Sequence, residues 1–187
     1  MRKLFLLCGI FIFWSTLCLA DTFTREASYS VCFSPEGHCT KTVVNSISKA
    51  KKEILVQAFS FTSFPIAKAL VTAREHGVDV KVILDKSTLT DQFYAVQYCQ
   101  KHKLPLKIDY LPAVAHNKVM IIDNELIITG SFNFTKAADE KNTENLLVIH
   151  DKILAKKYKD NWDKRESSSI NISEYLPQML AKPRPDH

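Results

Sequence analysis

Apolar residues along the chain recur in two alternating patterns, one typical of strands and one typical of helices. The run 53–61 is almost continuously apolar, as in a strand that is buried on both faces of a sheet. Val43, Val44, Ile47 and Ala50 instead lie at helical spacing. The pattern predicts strands at 29–33, 53–61, 78–84, 106–110, 118–122, 126–129 and 146–149, and helices at 40–51, 65–76, 90–102 and from Asp151 onward.

The alternation of strands and helices predicts an α/β fold. Segments 118–122 and 126–129 are joined by Asp123-Asn124-Glu125, and Asp and Asn tolerate the tight turn of a hairpin. This hairpin makes the predicted sheet mixed rather than purely parallel, with helices on both faces. From Glu166 the pattern decays into Ser and Pro, so we expect a domain at 21–165 followed by a flexible tail at 166–187.

The first twenty residues differ from the rest of the chain. Arg2 and Lys3 precede an apolar run and a stretch that ends at the small residue Ala20, which is the pattern of a secretory signal peptide. The apolar run is short for a bilayer span, which needs about 20 apolar residues. We therefore expect cleavage after Ala20 and export, to a periplasm or as a secreted protein. The alternative is a membrane anchor formed by residues 4–20.

Composition is that of an ordinary globular domain, with 187 residues of which 46% are hydrophobic and 24% charged. The formal net charge is +5, and it falls to +3 if Arg2 and Lys3 are removed with the N-terminal segment. This mild basicity is compatible with a polyanionic partner and does not identify one.

Five cysteines are present, and two of them lie in the N-terminal segment. Cys32 and Cys39 flank the turn-like sequence 34–38, and they form a candidate disulfide because an exported domain meets an oxidising compartment. Zinc binding by these cysteines with His38 is disfavoured, since no second pair of ligands lies at finger-like spacing. Cys99 lies in a helical pattern and is expected to be a buried free thiol.

The segment 115–134 places chemically active side chains around the two apolar strands of the hairpin. Residues two positions apart on a strand point to the same side, so His116 and Lys118 share a face. The returning strand brings Gly130, Ser131 and Asn133 back beside His116, and Gly130 permits close approach of a backbone or a ligand. This set suits a phosphate group, because Lys118 offsets its charge while Ser131 and Asn133 donate hydrogen bonds.

The spacing His116-x-Lys118, Asp123 and Gly130-Ser131-x-Asn133 resembles the HKD signature of the phospholipase D superfamily. Further segments resemble the small bacterial endonuclease branch of that superfamily, and the resemblance extends over roughly residues 28–165. Those segments are 59–62, 77–82, 130–137 and 141–145. Cys32 and Cys39 depart from the pattern of the branch.

The resemblance implies a phospholipase D-like fold and hydrolysis of a phosphodiester in two steps. One histidine attacks phosphorus and forms a phosphohistidine, while a second histidine protonates the leaving oxygen and then activates water. Glu144 matches the acidic residue that hydrogen-bonds the nucleophilic histidine. Asp123 is expected to serve the architecture of the hairpin rather than the chemistry. No metal and no other cofactor is implied.

The reaction needs two such motifs, and the sequence holds one. His150-Asp151-Lys152 repeats the first part of the motif, but Lys157 stands where the Asp belongs and no Gly-Ser-x-Asn follows. The resemblance therefore implies a homodimer with a two-fold axis through the active site, in which His116 of one subunit attacks and His116 of the other protonates.

The motif identifies the bond that is broken but not the molecule that contains it. The single motif, the short chain and the expected export favour a metal-independent, non-specific endonuclease acting on DNA, with RNA left open as a further substrate. The alternative is a lipid phosphodiesterase of the phospholipase D type, facing a membrane if the N-terminal segment stays uncleaved. A nucleic-acid binder with a dead site is disfavoured because every motif position is filled.

Overall fold

Within residues 21–89 and 94–175, which the computed structural model describes, eight strands form one sheet around the apolar strand β2 (Glu53–Ala58). β2 pairs in parallel with β3 and antiparallel with β5, so the sheet is mixed, as the sequence predicts. Along the sheet the strands run in the order β1 (Ser28–Ser34), β7 (Glu144–His150), β6 (Leu126–Gly130), β5 (Lys118–Ile122), β2, β3 (Asp79–Asp85), β4 (Leu106–Asp109) and β8 (Ile170–Asn171).

Helices cover both faces of this sheet. Successive residues of β2 point to opposite sides, so Val56 joins one core and Leu55 joins the other. Trp162 fills the second core and donates its indole N–H to the Val56 carbonyl at 3.0 Å. The predicted α/β class, with a mixed sheet between helices, is confirmed. On the first face lie α1 (Cys39–Ile47), α2 (Phe64–Glu75), α3 (Tyr94–Lys101) and α4 (Lys136–Glu140), and on the second lies α5 (Lys152–Ser167).

Two short elements were not apparent in the hydrophobic pattern. α4 is only five residues long, and it begins where the Thr135 hydroxyl accepts the Ala138 N–H at 3.0 Å. β8 pairs antiparallel with β4, and Ile172 and Tyr175 are buried beyond it. Residues 166–175 therefore do not form the loose tail that was expected, because α5 continues to Ser167, β8 extends the sheet, and Ile172 and Tyr175 pack in the core. Residues 176–187 lie outside the described part of the chain.

The N-terminal segment 1–20 also lies outside the described residues, so its cleavage and the exported location remain predictions. Residues 90–93, where the third helix is predicted to begin, also lie outside the described part of the chain. Among the helices that the structure does describe, none is long and apolar enough to cross a membrane.

The β5–β6 hairpin is tied to the start of β2 by Asp123. Asp123 and Asn124 have φ angles of 54° and 55°, the positive values that a tight hairpin turn requires. The Asp123 carboxylate accepts the backbone N–H groups of Lys51, Lys52 and Glu53 at 2.9, 2.7 and 3.0 Å. Asp123 thus holds the end of the sheet that is opposite to the beginning of β5.

Cys32 and Cys39 form a disulfide that joins β1 to the first turn of α1, with the sulfur atoms 2.00 Å apart. The closed loop passes through Gly37, where a Cβ atom would lie 2.2 Å from the Phe33 carbonyl oxygen, so the turn requires glycine. Cys99 is free and buried in α3, and burial raises the pKa of its thiol to about 12. This thiol is therefore protonated and unreactive at neutral pH.

Removal of the disulfide is expected to lower the free energy of unfolding by about 2–3 kcal/mol, because the bond restricts a short loop in the unfolded chain. Both positions are buried, so the paired change is Cys32→Ala with Cys39→Ala. The measurement is urea unfolding of residues 21–187. Wild-type protein treated with a reductant serves as the control and should match the double variant. Equal midpoints for the oxidised wild type and the double variant would contradict the prediction.

Candidate active site

The candidate catalytic histidine lies where β2 ends and β5 begins. Lys118, the first residue of β5, pairs with Ala58, the last residue of β2. The pairing continues outward, because the Phe59 N–H donates to the carbonyl of Asn117 at 2.7 Å. The Phe59 ring lies 4.5 Å from the imidazole of His116, measured between ring centroids. The imidazole is exposed to solvent yet held against an aromatic ring, so a substrate can reach it.

Lys118 is buried, with only 8% of its surface exposed. Its Nζ atom donates to the His116 carbonyl at 3.0 Å and lies 5.0 Å from the centroid of the Phe59 ring. Burial lowers the pKa of Lys118, and the negative charge of Glu144 opposes this lowering. An ammonium group with little water around it interacts strongly with an incoming anion, because the local dielectric constant is low.

Polar groups converge where β6 ends against the beginning of β7. Gly130 has a φ angle of 143°, and a Cβ atom there would lie 2.3 Å from the Asn145 carbonyl oxygen, so this close approach requires glycine. Ser131 donates its hydroxyl to Glu144 Oε2 at 2.6 Å and accepts the Asn145 N–H at 3.0 Å. Asn142 donates to the other carboxylate oxygen of Glu144 at 3.0 Å. Both oxygens of Glu144 are thereby held in place.

Asn133 lies on the segment between β6 and α4. That segment is fixed beside the end of β2, because Thr62 and Ser63 donate their backbone N–H groups to the Phe134 carbonyl at 3.0 and 2.9 Å. The Oδ1 atom of Asn133 is buried and has no hydrogen-bond partner among the described residues. Buried polar atoms without partners are rare in folded proteins, and they are often found at functional sites.

The structure brings six of the predicted site residues to one end of the central strands. Met120 pairs with Ile128, and continuing this register places Lys118 opposite Gly130. The residues at this end are His116, Lys118, Gly130, Ser131, Asn133 and Glu144, whereas Asp123 lies at the opposite end.

The predicted contact between Glu144 and His116 is not made within the described chain. The Glu144 carboxylate instead accepts hydrogen bonds from Ser131 and Asn142. Its role in orienting the imidazole stays a prediction. Over the described residues, no group of three or more His, Cys, Asp or Glu side chains is arranged to hold a metal ion.

Asp85, a residue that the sequence analysis missed, holds the segment that leads into His116. Asp85 ends β3 and is 2% exposed, and its Oδ2 atom accepts the Ala115 N–H at 2.6 Å. Burial alone would raise the pKa of Asp85, but hydrogen bonds from Ser87 and Ala115 and the charge of Lys86 hold it below its ordinary value. The only signal in the sequence is an acidic residue at the carboxyl end of an apolar strand. Ligand-binding sites of α/β proteins commonly lie at the carboxyl ends of strands.

Comparison with known proteins identifies the family. Residues 43–165 match the family model described as "Cardiolipin synthase, PLD-like domain". The chain belongs to the phospholipase D superfamily. A protein named phospholipase D from Rickettsia conorii is 44% identical over 144 residues, which cover 77% of this chain and 72% of that protein. The recognition made from the sequence motif is confirmed.

Two solved structures share the fold. Nuc from Salmonella typhimurium, described as a phospholipase D family member, has a TM-score of 0.75 and 40% identity, over 78% of this chain and 98% of that one. NucT from Helicobacter pylori has a TM-score of 0.71 and 24% identity, over 79% of this chain and 100% of that one. Members of the superfamily are phosphodiesterases, so this chain is an enzyme of that class.

Asp85→Asn is expected to lower kcat by about 10- to 100-fold while KM changes by less than about threefold. The amide carries no charge to hold the Ala115 and Ser87 donors, so the segment before His116 shifts and the imidazole loses its alignment. The measurement is steady-state kinetics on a phosphodiester substrate. Asp79→Asn is the matched control, since Asp79 is an exposed carboxylate at the other end of the same strand. An unchanged kcat for Asp85→Asn would contradict this role.

The effect of Asp85→Asn on the free energy of unfolding is expected to depend on pH. Because the pKa of Asp85 is depressed in the folded protein, its stabilising charge contributes fully above the ordinary aspartate pKa of about 4. That contribution is lost as the pH falls through the depressed folded value. The difference in free energy of unfolding between wild type and Asp85→Asn should therefore shrink in acid.

Proposed function

We propose that this phosphodiesterase is a metal-independent endonuclease that hydrolyses DNA through a phosphohistidine intermediate. The observation that carries the proposal is the exposed imidazole of His116 beside the buried ammonium of Lys118, where β2 ends and β5 begins. Because this imidazole is exposed to solvent, it can reach a phosphate in the backbone of a nucleic acid. Contacts to the backbone carry no sequence information, so such an enzyme would be non-specific.

The chain's own residues account for the attacking half of the reaction. An imidazole nitrogen of His116 attacks phosphorus, a nitrogen–phosphorus bond forms, and the bond to the leaving oxygen breaks. In this proposal Lys118 offsets the charge on the other phosphoryl oxygens, Asn133 donates a hydrogen bond to them, and Ser131 holds the Glu144 carboxylate beside them. Water then attacks the phosphohistidine, and the nitrogen–phosphorus bond breaks to release the product and restore the imidazole.

The leaving oxygen needs a proton, and the sequence holds one copy of the motif, which supplies one histidine. His150 pairs with Glu125 beside the hairpin turn, and His102 pairs with Glu75 at the ends of two helices. We therefore assign the proton to His116 of a second copy, which makes the functional unit a homodimer. In this arrangement each imidazole changes role between the two steps.

Nucleic acid is favoured over lipid by aromatic rings near the site. Phe64 begins α2 directly after the segment that contacts Phe134, and Tyr94 begins α3 with its ring centroid 5.6 Å away. Both rings are exposed, so bases of a single strand have surfaces on which to stack.

One observation favours the lipid alternative. Leu111 and Val114, on the segment that leads into His116, are 60% and 52% exposed. Apolar side chains beside a reactive imidazole suit an enzyme that works at a lipid surface. The Rickettsia relative named phospholipase D is consistent with that class of substrate. The two candidates make opposite predictions in one assay.

Residues 21–187 are expected to degrade plasmid DNA in EDTA and to leave labelled phosphatidylcholine vesicles intact, because neither His116 nor Lys118 needs a metal to act on a phosphate. Gel electrophoresis and release of the lipid head group are the two measurements. The reverse result supports the lipid alternative. Loss of DNA cleavage in EDTA, with recovery on addition of excess Mg²⁺, would rule out the metal-independent mechanism.

His116→Ala is expected to lower activity by at least about 10³-fold, since it removes the nucleophile and the acid together. When wild type is refolded with a ninefold excess of this variant, only about one wild-type chain in ten finds a wild-type partner. Activity per wild-type chain should fall about tenfold. Unchanged activity per wild-type chain would exclude a shared site, and refolding with excess bovine serum albumin controls for losses during refolding.

A further inference from the structure

The outermost strand of the sheet has one apolar, exposed side. Tyr29, Val31 and Phe33 lie on the same side of β1 and are 77%, 49% and 63% exposed. Leu147 of β7 pairs with Val31 and is half-buried on that side. We call these four residues the β1 face. A solvated face of an antiparallel sheet normally carries polar side chains, so an apolar one indicates an interaction surface.

Phe23 and Ile153 extend the β1 face toward the beginning of α5. Phe23 lines an apolar cavity of about 420 Å³ together with Tyr29 and Leu147, and it lies beside Ile153 in a smaller one. Phe23 is 65% exposed and Ile153 is 53% exposed. Because an aromatic side chain presents roughly 150–250 Å², this surface reaches several hundred Å², a size at which apolar patches are often functional. α5 packs against β2, β4, β5 and β6, which leaves the β1 face open.

Basic side chains on α5 border this apolar surface. Lys152, Lys156 and Lys157 lie beside Ile153 in sequence or one turn further on, and all three are exposed. Over its length α5 carries six basic and three acidic side chains. Asp21, which pairs with Lys157, offsets part of this charge. Aromatic and aliphatic side chains with a basic border suit a bilayer of anionic lipid, because the apolar groups enter the interface while the lysines contact head groups.

The place where the described chain begins favours the same occupant. Asp21 directly follows the apolar segment 4–20, and Asp21 and Phe23 lie beside the first turn of α5. An apolar leader or anchor enters a bilayer. In the uncleaved chain, Phe23 is separated from that segment by at most about 10 Å of backbone. The β1 face then lies next to the membrane surface.

We propose that the β1 face rests on a bilayer that contains anionic phospholipid. The catalytic groups lie on the other side of the sheet, since Ser34 and Glu144 pair with each other and alternate with residues of the β1 face. Lys118 pairs with Ala58, which also belongs to the core on that other side. A bilayer against the β1 face therefore leaves His116 open to a substrate dissolved in water. This docking involves no catalytic step, so it is independent of the proposed function.

Val31→Glu in residues 21–187 tests the docking. Wild type should float with vesicles of phosphatidylglycerol and phosphatidylcholine, and Val31→Glu should bind them at least about tenfold more weakly, because its carboxylate would have to leave water. Ser30→Glu is the matched control, since it adds the same charge at an exposed position on the opposite side of β1. This control should bind as wild type does. Circular dichroism reports whether each variant is folded.

A fluorescent reporter keeps the test decisive if Val31→Glu folds poorly. Trp162 is the one tryptophan in residues 21–187 and is buried, so the change in emission of Tyr29→Trp reports on the β1 face. That emission should shift to shorter wavelength when anionic vesicles are added, whereas the emission of Ser30→Trp should not. Lys156→Gln should weaken vesicle binding about fivefold, because it removes one charge from the border.

Equal vesicle binding by wild type and Val31→Glu, or no binding by folded wild type, would overturn the proposal. Wild type that ignores vesicles but forms a dimer that Val31→Glu dissociates would also overturn it, and would assign the β1 face to a subunit contact. Cleavage of DNA without vesicles should be equal for wild type, Val31→Glu and Ser30→Glu. Vesicle binding without DNA cleavage by any of them would support the docking and contradict the proposed function.

Discussion

The register between β2 and β5 is the constraint on which the active site depends. Lys118 is opposite Ala58, and the hydrogen bond from Phe59 to Asn117 extends the pairing to the residue beside His116. A slip of one residue would turn Lys118 to the other face of the sheet, away from Glu144. The Asp123 carboxylate prevents such a slip from the far end, because it binds three successive N–H groups at the beginning of β2. Asp123, at the other end of the hairpin, thus helps to fix the position of His116 and Lys118.

Burial of Lys118 has a cost that the surrounding groups offset. Its ammonium loses contact with water. In exchange it gains a hydrogen bond to the His116 carbonyl, a cation–π contact with the Phe59 ring and the attraction of the Glu144 carboxylate. Such a cation is only partly compensated, so an anion that arrives beside it gains more than it would at a solvated lysine. Glu144 in turn is held by Ser131 and Asn142. The pocket therefore combines an under-compensated cation with a carboxylate that is fixed in place.

The strands, the hairpin and the motif could be predicted because each has a local signal. Apolar runs mark β2 and β3, and the Asp123-Asn124 turn marks the hairpin. The spacing from His116 to Asn133 predicted which side chains meet, because the register of a hairpin follows from its turn. β8 and α4 could not be predicted, since two and five residues are too few to show a period. Asp85 was missed for a different reason: its effect on His116 is exerted through the N–H of Ala115, thirty residues away.

The single imidazole of the motif has a physical explanation in the proposed dimer. The two-step reaction needs an acid that protonates the leaving oxygen and then a base that activates water, besides the imidazole that attacks phosphorus. One copy of the motif supplies one imidazole. In the proposed dimer a two-fold axis through the site brings a second His116 to the same phosphate, so one position in the sequence supplies both the nucleophile and the acid–base group.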